Sequence, residues 1–203
     1  KATRLRERAE AERSGAGTLF RQLHAQLSRV KPRALCRHDK AFRVAFVGEA
    51  ADDHGGPYRE ALATICAELQ SQALPLLLRS PNGLNGAGEQ RDAYVPSPSA
   101  TAPRDLEGFY FLGQLLGLAL RQKETQLALS FPSVVWKQLV SQPMGAADLD
   151  AFDHMCHHSL QKLRAIEDEG VDAASFGDVI FETFTTQLSD GAEIPLVTNG
   201  ESL

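Results

Sequence analysis

Phe109-Tyr110-Phe111-Leu112-Gly113-Gln114-Leu115-Leu116-Gly117-Leu118-Ala119-Leu120 is the longest strongly apolar stretch of the chain, and its reading decides the fold. It is about half the length a membrane span requires. Its apolar residues recur at helical rather than alternating spacing, so it reads as a buried helix over Leu106–Gln122. Leu112, Leu115, Leu116 and Leu120 supply the buried faces. Gly113 and Gly117 lie one turn apart and are expected to let a neighbouring backbone approach closely, which would offset a helix-propensity cost of about 1 kcal/mol per glycine.

Working outward, Pro132–Ser141, a turn near Ala146–Asp150 and Ala151–Glu167 follow as further helical segments. Beyond Gly170, Val179, Phe181 and Thr183 alternate as a strand would, and Ile194–Val197 is expected to pair as a short strand. On the other side, Ser80–Arg104 carries loop chemistry: Asn82-Gly83, Asn85-Gly86 and the Pro-Ser run Pro96–Ser99. Ala73–Leu78 reads as deeply packed. Leu62, Ile65 and Leu69 mark the buried stripe of a helix that Pro57 begins. Phe42–Val47 alternates as a strand. Thr18 caps a helix with Leu19, Leu23 and Leu27 on one face and Phe20 beside them, and Lys1–Arg13 reads as a solvated Arg/Glu helix. The fold class is α+β and helix-rich, with a smaller subdomain starting near Asp148.

Composition narrows the function. Among 203 residues, 21 Lys+Arg against 26 Asp+Glu give a net charge of −5, without the basic surplus expected of a polyanion binder. No nucleic-acid partner and no membrane span are therefore expected. The three cysteines, Cys36, Cys66 and Cys156, are odd in number and form no Cys-x-x-Cys pair, which disfavours a disulfide framework and points to a reducing compartment. With no signal peptide and an opening Lys1, the expectation is an excised piece of an intracellular protein, cytoplasmic or else nuclear.

No local constellation reads as catalytic. Asp52-Asp53-His54-Gly55-Gly56-Pro57 lacks the ligand spacing of a calcium loop and the Gly-Lys-Ser/Thr of a phosphate loop, so a sharp turn into a helix is the simpler reading. That turn predicts that Gly56 needs either positive φ or close approach. His154, His157 and His158 sit one turn apart or adjacent, with no spaced acidic partner to complete a zinc set. Arg37, His38 and Lys40 follow Cys36 and would favour its thiolate if they converged, whereas Cys66 reads as core filler. No Gly-x-Ser-x-Gly elbow is present.

Three strings in order nevertheless carry a resemblance: Phe42–Glu49 followed by Asp52–Glu60, then Phe109–Leu120, then Leu127–Pro132 with Val135–Leu139. Together they resemble the N-lobe of HECT-type ubiquitin ligases, over about Leu19–Gly200. Trp136-Lys137-Gln138 and Ile166-Glu167-Asp168 lean towards the very large HERC-like members.

The resemblance implies an N-terminal helical extension (1–17), a large helical N-lobe subdomain (18–147) and a smaller α/β subdomain (148–203) that docks the E2 ubiquitin-conjugating enzyme. Partners would be the E2, ubiquitin and, through other parts of the parent, protein substrates. The catalytic cysteine of such ligases sits in a Thr-Cys loop of a C-lobe. No Thr-Cys pair occurs here, so this chain is expected to hold the N-lobe without the C-lobe, with no catalytic residue, cofactor or metal of its own. The intact parent would take ubiquitin onto the C-lobe cysteine as a thioester and pass it to a lysine. The alternative is an interaction scaffold that keeps the fold without transfer. By resemblance, the E2-binding residues are Cys156, Leu160, Leu163 and Ile166 on one helical face, with Val179 and Phe181 as the opposite wall.

Overall fold

The computed structural model describes residues 17–45, 56–123 and 125–202. The expected helix over Lys1–Arg13 and the acidic turn Asp52–Gly55 lie outside these residues. The chain divides into two compact units, Lys1–Leu77 with Ala100–Leu129, and Leu78–Ser99 with Ser130–Leu203. It is a helix-rich α+β fold with two small sheets.

The first unit is built on α1 (Leu19–Leu27), α2 (Gly56–Leu69) and α4 (Pro103–Arg121). Thr18 Oγ accepts from the Arg21 amide, closing one of the free donors at the start of α1. Glu68, in the last turn of α2, accepts from the Leu19 and Phe20 amides at 2.7 and 2.9 Å. One carboxylate thus caps the positive end of α1 and ties two helices together. Phe20 then packs edge-to-face on Phe111 of α4, with centroids 5.2 Å apart. Around that pair, Leu62, Ile65, Leu69, Leu74, Leu76, Leu115 and Leu118 are all buried. Each such side chain contributes about 1.5–3 kcal/mol by leaving water.

Five expectations change in this unit. The buried residues of α1 are Phe20 and Arg21, not the leucine row, because Arg21 reaches the Arg104 carbonyl and Asp105 at 3.0 and 3.1 Å. No strand forms over Phe42–Ala45, the described part of that stretch. Gly56 is the first residue of α2, and among the described residues no atom lies within 4 Å of an added Cβ there. Among the described residues the same open space surrounds Gly113 and Gly117, so no described backbone approaches them, and Leu120 is 89% exposed rather than buried.

In the second unit, β1 (Leu77–Arg79) pairs with β2 (Tyr94–Pro96), and α3 (Pro81–Asn85) lies between them in the chain. Ser80 caps α3 through its hydroxyl to the Gly83 amide, and its own amide donates to Ala93. The stretch expected to be loop is therefore partly regular, because the Ser80-Pro81 pair is a helix start. Helices α5 (Ser133–Leu139), α6 (Ala146–Phe152) and α7 (His154–Arg164) follow, then α8 (Phe176–Val179). Asp148, where a smaller subdomain was expected to begin, lies within α6. Of the strand expected over Val179, Phe181 and Thr183, Val179 ends α8 instead and residues 180–183 have no regular structure. Strand β3 (Thr185–Gln187) pairs antiparallel with β4 (Glu193–Pro195), Thr186 opposite Ile194. Among the described residues no helix is long and apolar enough to cross a membrane.

Candidate protein-docking surface

The expected docking residues centre on α7, and a single buried amide positions that helix. Asn82, 1% exposed, accepts from the His154 amide through Oδ1 at 2.7 Å. Its Nδ2 donates to the carbonyls of Glu89, Asp150 and Ala151 at 3.0, 3.3 and 3.1 Å. Both faces of the side-chain amide are satisfied by backbone from three segments, the condition under which a polar group can be buried without penalty. Gly88 makes room for it: with φ of 71°, an added Cβ there would lie 2.6 Å from Asn82 Nδ2 and 2.7 Å from the His154 Cβ.

The turn between α6 and α7 is finished locally. The Asp153 carboxylate caps α7 by accepting from the Cys156 amide at 3.0 Å. Asp150 Oδ1 takes His154 Nδ1 at 2.8 Å and His157 Nδ1 at 3.2 Å, and these contacts hold its carboxyl below the usual range. An acidic partner for the histidines, missing from the sequence reading, is therefore present four and seven residues back. It acts as a helix-junction clamp. Among the described residues no group of three or more His, Cys, Asp or Glu could hold a metal.

Held in this way, α7 presents Leu160 and Leu163 at 44% and 37% exposure. Ile166, in the 3-10 turn that follows, is half-buried. Val179 ends α8 half-exposed, and Phe181 just beyond it is 83% exposed. Cys156 stands apart from these five. It lines a cleft of about 740 Å³ with Leu84, Met155, Ser159 and the β3–β4 turn. Ser99 Oγ donates to Asp190 in that turn, anchoring the hairpin to the loop after β2. Phe176, also exposed, adds an apolar side chain that the strand reading of this segment had obscured.

Burial pushes the Cys66 thiol up, and burial together with Asp153 does the same for Cys156. Arg37, expected near Cys36, instead pairs with Asp39 at 3.0 Å.

A second cavity of about 590 Å³ is almost wholly apolar, lined by Val95, Val135, Leu139, Met144, Leu149 and Phe152. Sequence reasoning missed it, although Val134-Val135 and Leu149 with Phe152 are its signal. Beside it, Lys137 pairs with Asp148 at 2.7 Å.

The HECT-domain (ubiquitin-transferase) family matches residues 63–203. The chain belongs to the HECT family. It is 37% identical over 182 residues to the human E3 ubiquitin-protein ligase HERC2, covering 90% of this chain and 4% of that protein. It is 29% identical over 191 residues to the human probable E3 ubiquitin-protein ligase HECTD4, covering 90% of this chain and 5% of that one. With human HECW1, also an E3 ubiquitin-protein ligase, it shares 32% identity over 60% of the chain. The similarity to HERC2 agrees with a HERC-like member, although this HECT chain spans only about one twenty-fifth of that relative.

Proposed function

We propose that this chain is the part of a HECT ubiquitin ligase that docks a ubiquitin-charged E2 enzyme. The observation that carries the reading is the exposure of four apolar side chains, Leu160, Leu163, Val179 and Phe181, the first two on α7, whose start the Asn82 and Asp153 contacts fix. A rigid scaffold with unburied apolar groups is suited to partner binding, because little ordering entropy is lost on contact. An E2 would insert aromatic or apolar loop residues there. A contact of this small size is reversible, with a dissociation constant of roughly micromolar order.

In the intact ligase, the cysteine that receives ubiquitin as a thioester would come from a separate lobe. This chain's role would be to bring the charged enzyme within reach of that cysteine. The substrate lysine would then attack the thioester, forming an isopeptide bond and releasing the thiol. None of Cys36, Cys66 and Cys156 is assigned that role.

The test is a titration of the chain against a panel of E2 enzymes, free and ubiquitin-charged, followed by calorimetry. A cognate E2 that binds, and binds more weakly to folded Leu163→Ala and Ile166→Ala variants, supports the reading. If no member of the panel binds either this chain or a complete N-lobe, the scaffold reading takes its place.

A further inference from the structure

Helix α4 has two unlike faces. One is core, with Gly108, Phe111, Leu112, Leu115 and Leu118 buried. The other carries Leu106, Tyr110, Gly113, Gly117 and Leu120, spaced four, three, four and three residues apart. Tyr110 is 64% exposed on this face, Leu106 is also exposed, and among the described residues no atom lies within 4 Å of an added Cβ at either glycine. Alternating steps of three and four are the spacing by which one helix seats another. Over two heptads a straight helix drifts from that seam by only about 40°.

The charges beside the seam single out one partner. Glu107, Gln114 and Arg121 each follow a seam residue and run along the same side. Neither Glu107 nor Arg121 makes an ion pair among the described residues. A two-fold axis through Gly113 maps this face onto itself. Within a residue or two of that register, Leu106 faces Leu120 of a second copy, Tyr110 lies near Gly117 of that copy, and Glu107 comes within side-chain reach of Arg121. A parallel pairing would instead set Tyr110 on Tyr110 and leave Glu107 and Arg121 at opposite ends of the seam, out of reach of one another.

We propose that two copies of this chain associate antiparallel along α4. The proposal is independent of the docking surface on α7. The seam is about 20 Å long and one helix wide, short of the ~800 Å² per partner of standard stable complexes. Association is therefore weak, with a dissociation constant of tens of micromolar or above, roughly.

Sedimentation velocity on the chain, from a few to several hundred micromolar, tests it. The expected result is a concentration-dependent monomer–dimer equilibrium, weakened about tenfold or more by Leu120→Glu, a change on the exposed face that leaves the core untouched. Glu107→Arg and Arg121→Glu, both at exposed positions, should each dimerise less than the parent. Mixed together they should pair with one another, since each contact then joins unlike charges. A chain that stays monomeric throughout overturns the proposal. So does a dimer indifferent to Leu120→Glu, or a mixture that associates no better than its components.

Discussion

The Asn82 side chain and the His154 backbone, 72 residues apart in sequence, meet in a 2.7 Å hydrogen bond that fixes where α7 begins. Because Nδ2 of the same amide holds the last carbonyls of α6, the helix-to-helix turn is set by one buried side chain rather than by the turn residues alone. The part of the proposed docking surface on α7, Leu160 and Leu163, rests on this positioning.

Replacing Asn82 with Leu should destabilise the chain by about 2–3 kcal/mol, since the partner amide and carbonyls lose their hydrogen bonds inside the protein. Chemical denaturation measures the loss. Hydrogen exchange should locate it, with the His154 amide losing protection first. An unchanged midpoint would show that α7 is held by other means.

Glycines separate into two kinds, and substitution by alanine should distinguish them by sign. Gly88→Ala forces a side chain into φ of 71° and against Asn82, so melting temperature should fall. Gly113→Ala meets open space in a helix interior and should raise stability by up to about 1 kcal/mol. Gly56→Ala should be close to neutral.

The contrast shows how much of the fold was legible in sequence. Helix positions followed from apolar spacing, as at Leu62, Ile65 and Leu69, because burial and period coincide there. The faces of α4 did not follow: the helix is apolar on nearly all sides, so periodicity cannot say that Leu118 is buried and Leu120 exposed. Asn82 was read as turn chemistry because Asn-Gly usually is. Its role depends on contacts 68 to 72 residues away. Docking residues were named through family resemblance. Their exposure, and the separation of Cys156 from the other five, needed coordinates.

The Lys137–Asp148 pair predicts an acid-sensitive element. Hydrogen bonds from Lys137 and the Gly145 amide hold the Asp148 carboxyl below its usual 3.8. A folded value below the unfolded one means the stabilisation is fully present above about pH 4 and is lost as pH falls through the folded value. Lys137→Met should move the Asp148 titration, followed by carboxyl-carbon NMR, back towards 3.8 and flatten the loss of stability in acid. A titration that does not move would remove Lys137 as the cause.

Arg21 crosses from α1 to α4 almost fully buried, held by Asp105 and the Arg104 carbonyl. Asp105→Asn leaves that cation without its counter-charge and should cost about 1–3 kcal/mol. Asp39→Asn, whose Arg37 partner is exposed, should cost less than about 1 kcal/mol. Paired denaturation curves compare the two; equal losses would mean that burial of Arg21 does not govern its pairing.

The central claim, that the exposed apolar row on α7 and beyond α8 docks an E2, is tested most directly by calorimetry of a ubiquitin-charged cognate E2. The comparison is between the parent chain, Leu163→Ala, Phe181→Ala and a control, Leu139→Ala, which lines the separate apolar cavity. With all four folded alike, the account predicts micromolar binding by the parent and the control, and affinities about tenfold weaker or worse for Leu163→Ala and Phe181→Ala. Equal affinity across all four would contradict it.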